Sequence, residues 1–112
     1  MTANDIIIAA RMIRGDTEPY NPSDPNMILF LNAGQRLIVS MRPDALCQTD
    51  GSYATLAKVN AIDDVLTIPD RFFDPLMDYV IARSFQLNGE DSKSLARAQH
   101  HFDLFTKLTA TV

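Results

Sequence analysis

His100 and His101 stand side by side in this chain, and imidazole is the side chain best suited to proton transfer or metal ligation near neutral pH. Adjacent residues on a helix point about 100° apart, so the two rings do not converge on one ion as an i, i+4 pair would. His101 borders an apolar stripe beside Phe102, and His100 faces solvent: a core-edge histidine and a surface one. Asp70, Asp74 and Asp78 recur at four-residue spacing, which would suit a cation. Asp70 and Asp74, however, fall where a helix begins, and carboxylates there cap backbone N–H groups and complement the helix dipole. Capping is the reading their position favours. Asp63-Asp64 belongs to a turn, and turn chemistry accounts for it without a metal. Cys47 is the one cysteine; it has no histidine near it in sequence, so nothing marks it as a nucleophile and no internal disulfide is possible. Ser40, Ser84, Ser92 and Ser94 lack the nucleophile-elbow pattern, and the 4 glycines are scattered rather than gathered into a phosphate loop. These residues predict no enzyme, no metal site and no cofactor.

Arg36, Arg42, Arg83 and Arg97 say more about binding. On a solvated helix face they would contribute little. At a protein–protein contact arginine is favoured, because its planar fork pairs carboxylates bidentate. Both readings stay open on sequence alone.

Behind these side chains the periodicity predicts helices over about 3–14, 24–42, 75–88 and 92–109, with a hairpin region over about 44–69. The second helix carries an apolar stripe of Met27, Phe30, Leu31, Gly34, Leu37, Ile38 and Met41, with Leu29, Ala33 and Val39 off it. Asn32, Gln35 and Arg36 interrupt it with polar groups. Apolar on more than one side, it is the expected central helix. Gly34 sits mid-stripe, where glycine costs up to ~1 kcal/mol in helix propensity; the return is close approach by a neighbouring helix. Pro43 ends the helix, and Arg42 in its last turn suits the dipole.

The first helix has Thr2 and Asp5 as cap, Ile6, Ala9, Ala10 and Ile13 as buried face, and Gly15 as stop. A loop with two prolines leads to Ser23, the natural cap of the second helix, with Asp24 and Pro25 at its opening positions. Residues 53–57 and 65–68 read as two short strands, with 60–64 turning between them. Asp74-Pro75 opens the third helix, whose stripe is Phe73, Leu76, Met77, Val80, Ile81, Ser84 and Leu87, and Asn88-Gly89 supplies a left-handed stop. The last helix turns Leu95, Ala98, Phe102, Phe105 and Leu108 inward, antiparallel to the third across a short loop. The fold class is therefore mainly α: a four-helix bundle with a β-hairpin or long loop inserted between the second and third long helices.

At 112 residues the chain predicts one domain. Hydrophobic residues at 46% and charged residues at 21% are the mix of a soluble globular protein. A formal net charge of -4 argues against non-specific binding to nucleic acid or an anionic membrane. The N-terminal apolar run follows Asp5 and has no small-residue cleavage site after it, so it does not read as a signal peptide, and no run approaches the ~20 residues of a membrane span. A lone cysteine and no leader predict a cytoplasmic protein.

Several of these residues also carry a resemblance. Leu31-Asn32 and Gln35-Arg36 on one helix run into Arg42-Pro43-Asp44-Ala45. Tyr79-Val80 with Arg83 follows on a later helix, and Ala96-Arg97-Ala98 with Phe105 on the last. In order and spacing, from about Asp5 to Leu108, this resembles the head-to-tail adaptor (connector) proteins of tailed bacteriophages, the short-tailed type especially. The resemblance implies a helical bundle with an inserted hairpin or loop and no enzymatic activity or cofactor. It also implies a dodecameric ring of copies below the portal protein, assembled in the host bacterial cytoplasm and retained in the virion, which gives the tail or nozzle protein its docking surface. Such a ring encloses the DNA channel without sequence-specific DNA binding and touches no membrane. It would place interface residues among Leu29, Arg36, Val39, Arg42, Tyr53, Arg83 and Arg97, with the C-terminal Thr106, Lys107, Thr109 and Val112 reaching the portal. The competing expectation is a small helical DNA-binding or regulatory domain, since helices joined by short loops can form a helix-turn-helix. The acidic balance and the lack of a helix with clustered Lys or Arg stand against it.

Overall fold

The structure is a computed structural model that describes residues 1–16, 22–87 and 92–112. Residues 17–21 of the proline loop, the Asn88-Gly89 stop and Asp91 lie outside the described residues. The described chain is mainly helical: α1 (Ala3–Arg14), α2 (Asp24–Met41), α3 (Phe73–Leu87) and α4 (Ser92–Thr111), with short 3-10 turns at Pro43–Leu46 and Asp70–Phe72. It measures 47 × 28 × 17 Å along its principal axes.

The start of α1 follows from its sequence. Thr2 accepts from the Asp5 N–H while the Asp5 carboxylate accepts from the Thr2 N–H, a reciprocal capping box. The two remaining early donors find carbonyls on the distant 62–64 turn: Ala3 N–H donates to Asp64 O at 3.0 Å and Asn4 N–H to Ile62 O at 2.7 Å. Gly15 closes the helix at φ 74, in the left-handed region that favours glycine. The buried face is Ala3, Ile6, Ile7, Ala10 and Arg11, turned from the one expected. Ile13 is 54% exposed and Ile7 replaces it inside. Arg11 is drawn in because it meets Asp16 at 3.2 Å and Asp24 of α2 at 2.7 Å.

The helix at the centre is α3 rather than α2: it packs against α1, α2 and α4, most extensively against α4. Its buried residues, Pro75, Leu76, Asp78, Tyr79, Val80, Ile81, Ala82 and Ser84, run around most of its circumference. Leu87, expected in its stripe, is 54% exposed, and the helix starts at Phe73 because the 3-10 turn Asp70–Phe72 runs straight into it. Phe85 meets Arg97 and His101 of α4, and Tyr79 meets Phe102 and Phe105, so α4 runs antiparallel to α3 as expected. On α4, Ala98 and Phe105 are buried, but Leu95 is 50% exposed, one turn too early to reach the packed face.

Gly34 brings α2 against α3. A Cβ there would lie 2.7 Å from Leu76 Cδ1 and 2.8 Å from Tyr79 Cδ1, the close approach that the mid-stripe glycine predicts. The stripe of α2 is also rotated: Leu37 and Met41 are exposed, while Asn32 and Gln35 are buried. Ser23 occupies the N-cap position but makes no side-chain cap hydrogen bond.

Among the described residues no β-strand forms, so of the expected β-hairpin or long loop the hairpin is not shown and the insertion is a long loop. The turn at 60–64 exists, with the Asp64 carboxylate accepting from Asn60 N–H at 2.8 Å and Ala61 N–H at 3.0 Å, but its flanks do not pair with each other. Tyr53 instead bridges to Cys47, and Val65 to Thr2. The single tie between the two would-be strands runs from Ala57 N–H to Thr67 Oγ1 at 3.0 Å. Local β-propensity lost to tertiary demands: Val59, Leu66 and Ile68 are buried in the common core, and the 62–64 carbonyls are taken by α1. Residues 47–69, an arm docked this way between the two 3-10 turns, need no partner strand.

Candidate interaction surface

Asn32, a polar interruption of the apolar stripe of α2, is the anchor of the arm. Its Nδ2 donates to Val59 O at 2.8 Å and its Oδ1 accepts from Val59 N–H at 2.9 Å. One side-chain amide thereby satisfies both backbone groups of a residue only 2% exposed. Gln35 donates to the same Oδ1 at 3.3 Å. With Asn32, Arg36 and arm residues Leu56, Ala57 and Lys58 it lines a shallow pocket of about 110 Å³. The signal in sequence was a polar pair embedded in an otherwise apolar helix face.

The arginines divide into two kinds. Arg42 is an internal brace: Nε and Nη2 grip Asp44 at 2.9 and 2.8 Å, Nη1 donates to Thr109 O at 2.9 Å, and the guanidinium lies 5.7 Å from the Phe72 ring centroid. The cation does serve a helix end, but that of α4, whose last carbonyls have no helical partner. This grip pulls the exposed Asp44 carboxyl below its ordinary range. Arg71 joins the same carboxylate at 3.3 Å and lies over Phe72. Arg36, Arg83 and Arg97, by contrast, have no carboxylate within ion-pair distance among the described residues. Arg36 and Arg97 are exposed, Arg97 over the Phe85 ring at 5.7 Å, and Arg83 is half-buried.

The remaining predicted contact residues are spread over the molecule. Leu29 and Tyr53 are 62% and 66% exposed. Val39 is half-buried and packs partly on the core. Thr106 and Lys107 are exposed, but Thr109 is fully buried and Val112 packs on the core, so these two side chains are taken up by the chain's own interior. Three exposed apolar residues of α2, Leu29, Leu37 and Met41, lie in one i, i+4 row, with half-buried Ala33 between the first two.

His101 and Asp78, on different helices and 23 residues apart, form a pair. His101 Nδ1 lies 2.9 Å from Asp78 Oδ1 across the α3–α4 interface, with side chains 15% and 7% exposed. Burial pushes the Asp78 carboxyl above its ordinary value and the His101 hydrogen bond opposes that. His100 is exposed, as expected. Among the described residues no group of three or more His, Cys, Asp or Glu could hold a metal ion, and no helix is long and apolar enough to cross a membrane. Cys47 is exposed and free. No family model, curated protein or solved structure matches this chain.

Proposed function

We propose that this chain is a structural assembly subunit, a head-to-tail adaptor of the short-tailed phage type. Copies form a ring below the portal protein and offer the tail or nozzle protein its docking surface, with the helices acting as one bundle. The observation that carries this is the Leu29–Leu37–Met41 row, an exposed apolar row along α2 from Leu29 to its end that an assembly contact would cover. A ring requires heterologous contacts, in which this face meets a different face of the neighbouring copy. The ordered motifs on α2, α3 and α4 support the same reading by resemblance.

Native mass spectrometry of the protein alone and mixed with the portal from the same genome tests it. A full ring bound to the portal is expected; no association with an intact portal would overturn the reading. Leu29→Glu and Tyr53→Glu are expected to block assembly without unfolding the chain, and are cleaner probes than the core-packed Val39. Duplex DNA titrated with salt separates the DNA-binding alternative: the adaptor binds weakly, whereas a steep salt dependence would favour that alternative.

A further inference from the structure

Phe30 of α2 and Arg83, Gln86 and Leu87 of α3 line an open hollow of about 160 Å³. Its cation is held in place. Arg83 Nη1 donates to Tyr79 Oη at 2.7 Å, and its guanidinium carbon lies 5.3 Å from the Phe30 centroid and 5.8 Å from that of Tyr79. Both rings are buried, and Tyr79 is itself wedged against Phe102 and Phe105 at 5.9 and 5.1 Å. The side chain has therefore lost much of its rotamer freedom before any ligand arrives, which lowers the cost of binding one. Among the described residues no carboxylate compensates the charge at this point, although Asp and Glu outnumber Lys and Arg by 14 to 10 in the chain. Arg11, Arg14, Arg42 and Arg71 each face a carboxylate, whereas Arg83 faces none among the described residues. Its phenol contact uses one of the guanidinium's N–H donors and leaves others for the hollow.

We propose that this hollow is a receptor for the carboxylate of an Asp or Glu side chain on a partner polypeptide. The carboxylate pairs with the guanidinium of Arg83, the Gln86 amide supplies a further donor, and Phe30 and the 54% exposed Leu87 cover the aliphatic stem. The volume suits one side chain and falls below the ~300 Å³ at which pockets for larger ligands begin. A single cation on a net acidic protein favours an isolated carboxylate over the closely spaced phosphates of nucleic acid. Nothing here depends on the adaptor reading, which the portal experiment decides separately.

The test is a ¹H–¹⁵N titration of the full chain with acetyl-Leu-Glu-Leu-amide, using acetyl-Leu-Gln-Leu-amide as the neutral control. Saturable shifts at the Arg83 and Gln86 side-chain N–H groups and at Leu87 are expected with the Glu peptide alone. Arg83→Lys keeps the charge but loses the fork and is expected to weaken binding at least about tenfold, with the spectrum otherwise preserved. Leu87→Ala, at an exposed position, checks the apolar contact independently of the aromatic packing and is expected to weaken binding more modestly. Equal response to both peptides, shifts centred on Arg36 or Arg97, no saturable response, or tighter binding of a duplex DNA oligonucleotide would each overturn the proposal.

Discussion

Removing the Asn32 amide tests how the arm is held. In Asn32→Ala the Val59 N–H loses its acceptor at 2.9 Å and the Val59 carbonyl its donor at 2.8 Å, at a residue 2% exposed. A buried backbone group left unsatisfied costs about 1–3 kcal/mol. With two groups affected and some relief as the arm lifts into water, the expected loss is about 2–4 kcal/mol, a large share of the ~5–15 kcal/mol of a typical domain. Urea denaturation should show a lower midpoint at nearly unchanged slope. Hydrogen exchange is the sharper assay: a local loss of about 2 kcal/mol accelerates exchange at the Val59 amide by roughly 30-fold. Arg36→Ala, one turn along α2 on an exposed side chain, should stay within about 0.5 kcal/mol. Asn32→Asp keeps the acceptor for Val59 N–H but sets a carboxylate oxygen against the Val59 carbonyl. Its pKa should rise, because only the protonated acid can donate there. A folded pKa above the unfolded one means that this variant loses stability as pH rises through that window. Unchanged Val59 exchange together with a loss below about 0.5 kcal/mol in Asn32→Ala would refute the anchor.

Gly34→Ala gains up to ~1 kcal/mol of helix propensity but forces a Cβ to 2.7 Å from the buried Leu76, an overpacking cost of about 1–3 kcal/mol. The expected net is a loss of about 1 kcal/mol, read as a lower melting temperature; a rise would mean that α3 does not press on this point. The pH profile should have two parts. Asp5, Asp44, Asp50 and Asp64 are held below the ordinary value of 3.8 by hydrogen bonds to their carboxylates, so their contribution is present above that pH and is lost as pH falls through their folded values. Asp78, raised by burial, works oppositely: its contribution is lost as pH climbs from 3.8 through its higher folded value. Asp78→Asn should therefore flatten the profile above 3.8 and leave the acid limb intact in denaturation midpoints taken from pH 2 to 7. Arg42→Lys, which forfeits the bidentate grip on Asp44 and the Thr109 carbonyl, should speed exchange in the last turn of α4 while leaving α1 unchanged.

Local chemistry was enough to place the helices. The Thr2–Asp5 box, Gly15, Pro25 and Pro43 act within one turn of where they sit, so the starts and stops of α1 and α2 could be read directly, and Gly34 announced a close contact without naming its partner. The candidate contact residues were readable as residue types but not as placements. Arg42 turned inward to α4, Thr109 became buried, and Arg83 found its aromatic bed in a residue four before it and another on α2. Periodicity gave each helix an apolar side only approximately. The buried face is fixed by what packs against it, which is why Ile13, Leu37, Leu87 and Leu95 stand exposed while Arg11, Asn32, Gln35 and Asp78 lie inside. Asn32 and Asp78 are offset by a backbone and an imidazole partner distant in the chain, and Arg11 by Asp16 close by and by Asp24 on the next helix, pairings that the apolar period of one helix does not announce. The arm makes the same point. Residues 53–57 and 65–68 have the composition of strands, yet their backbone N–H groups donate to Leu46 O and Met1 O, and the tie between them, from Ala57 N–H to Thr67 Oγ1, ends on a side chain and makes no ladder. Capping, turns and helix limits are decided over a few residues and so belong to the sequence; which face is inside, and where an unpaired backbone group finds its partner, is decided only when distant segments meet.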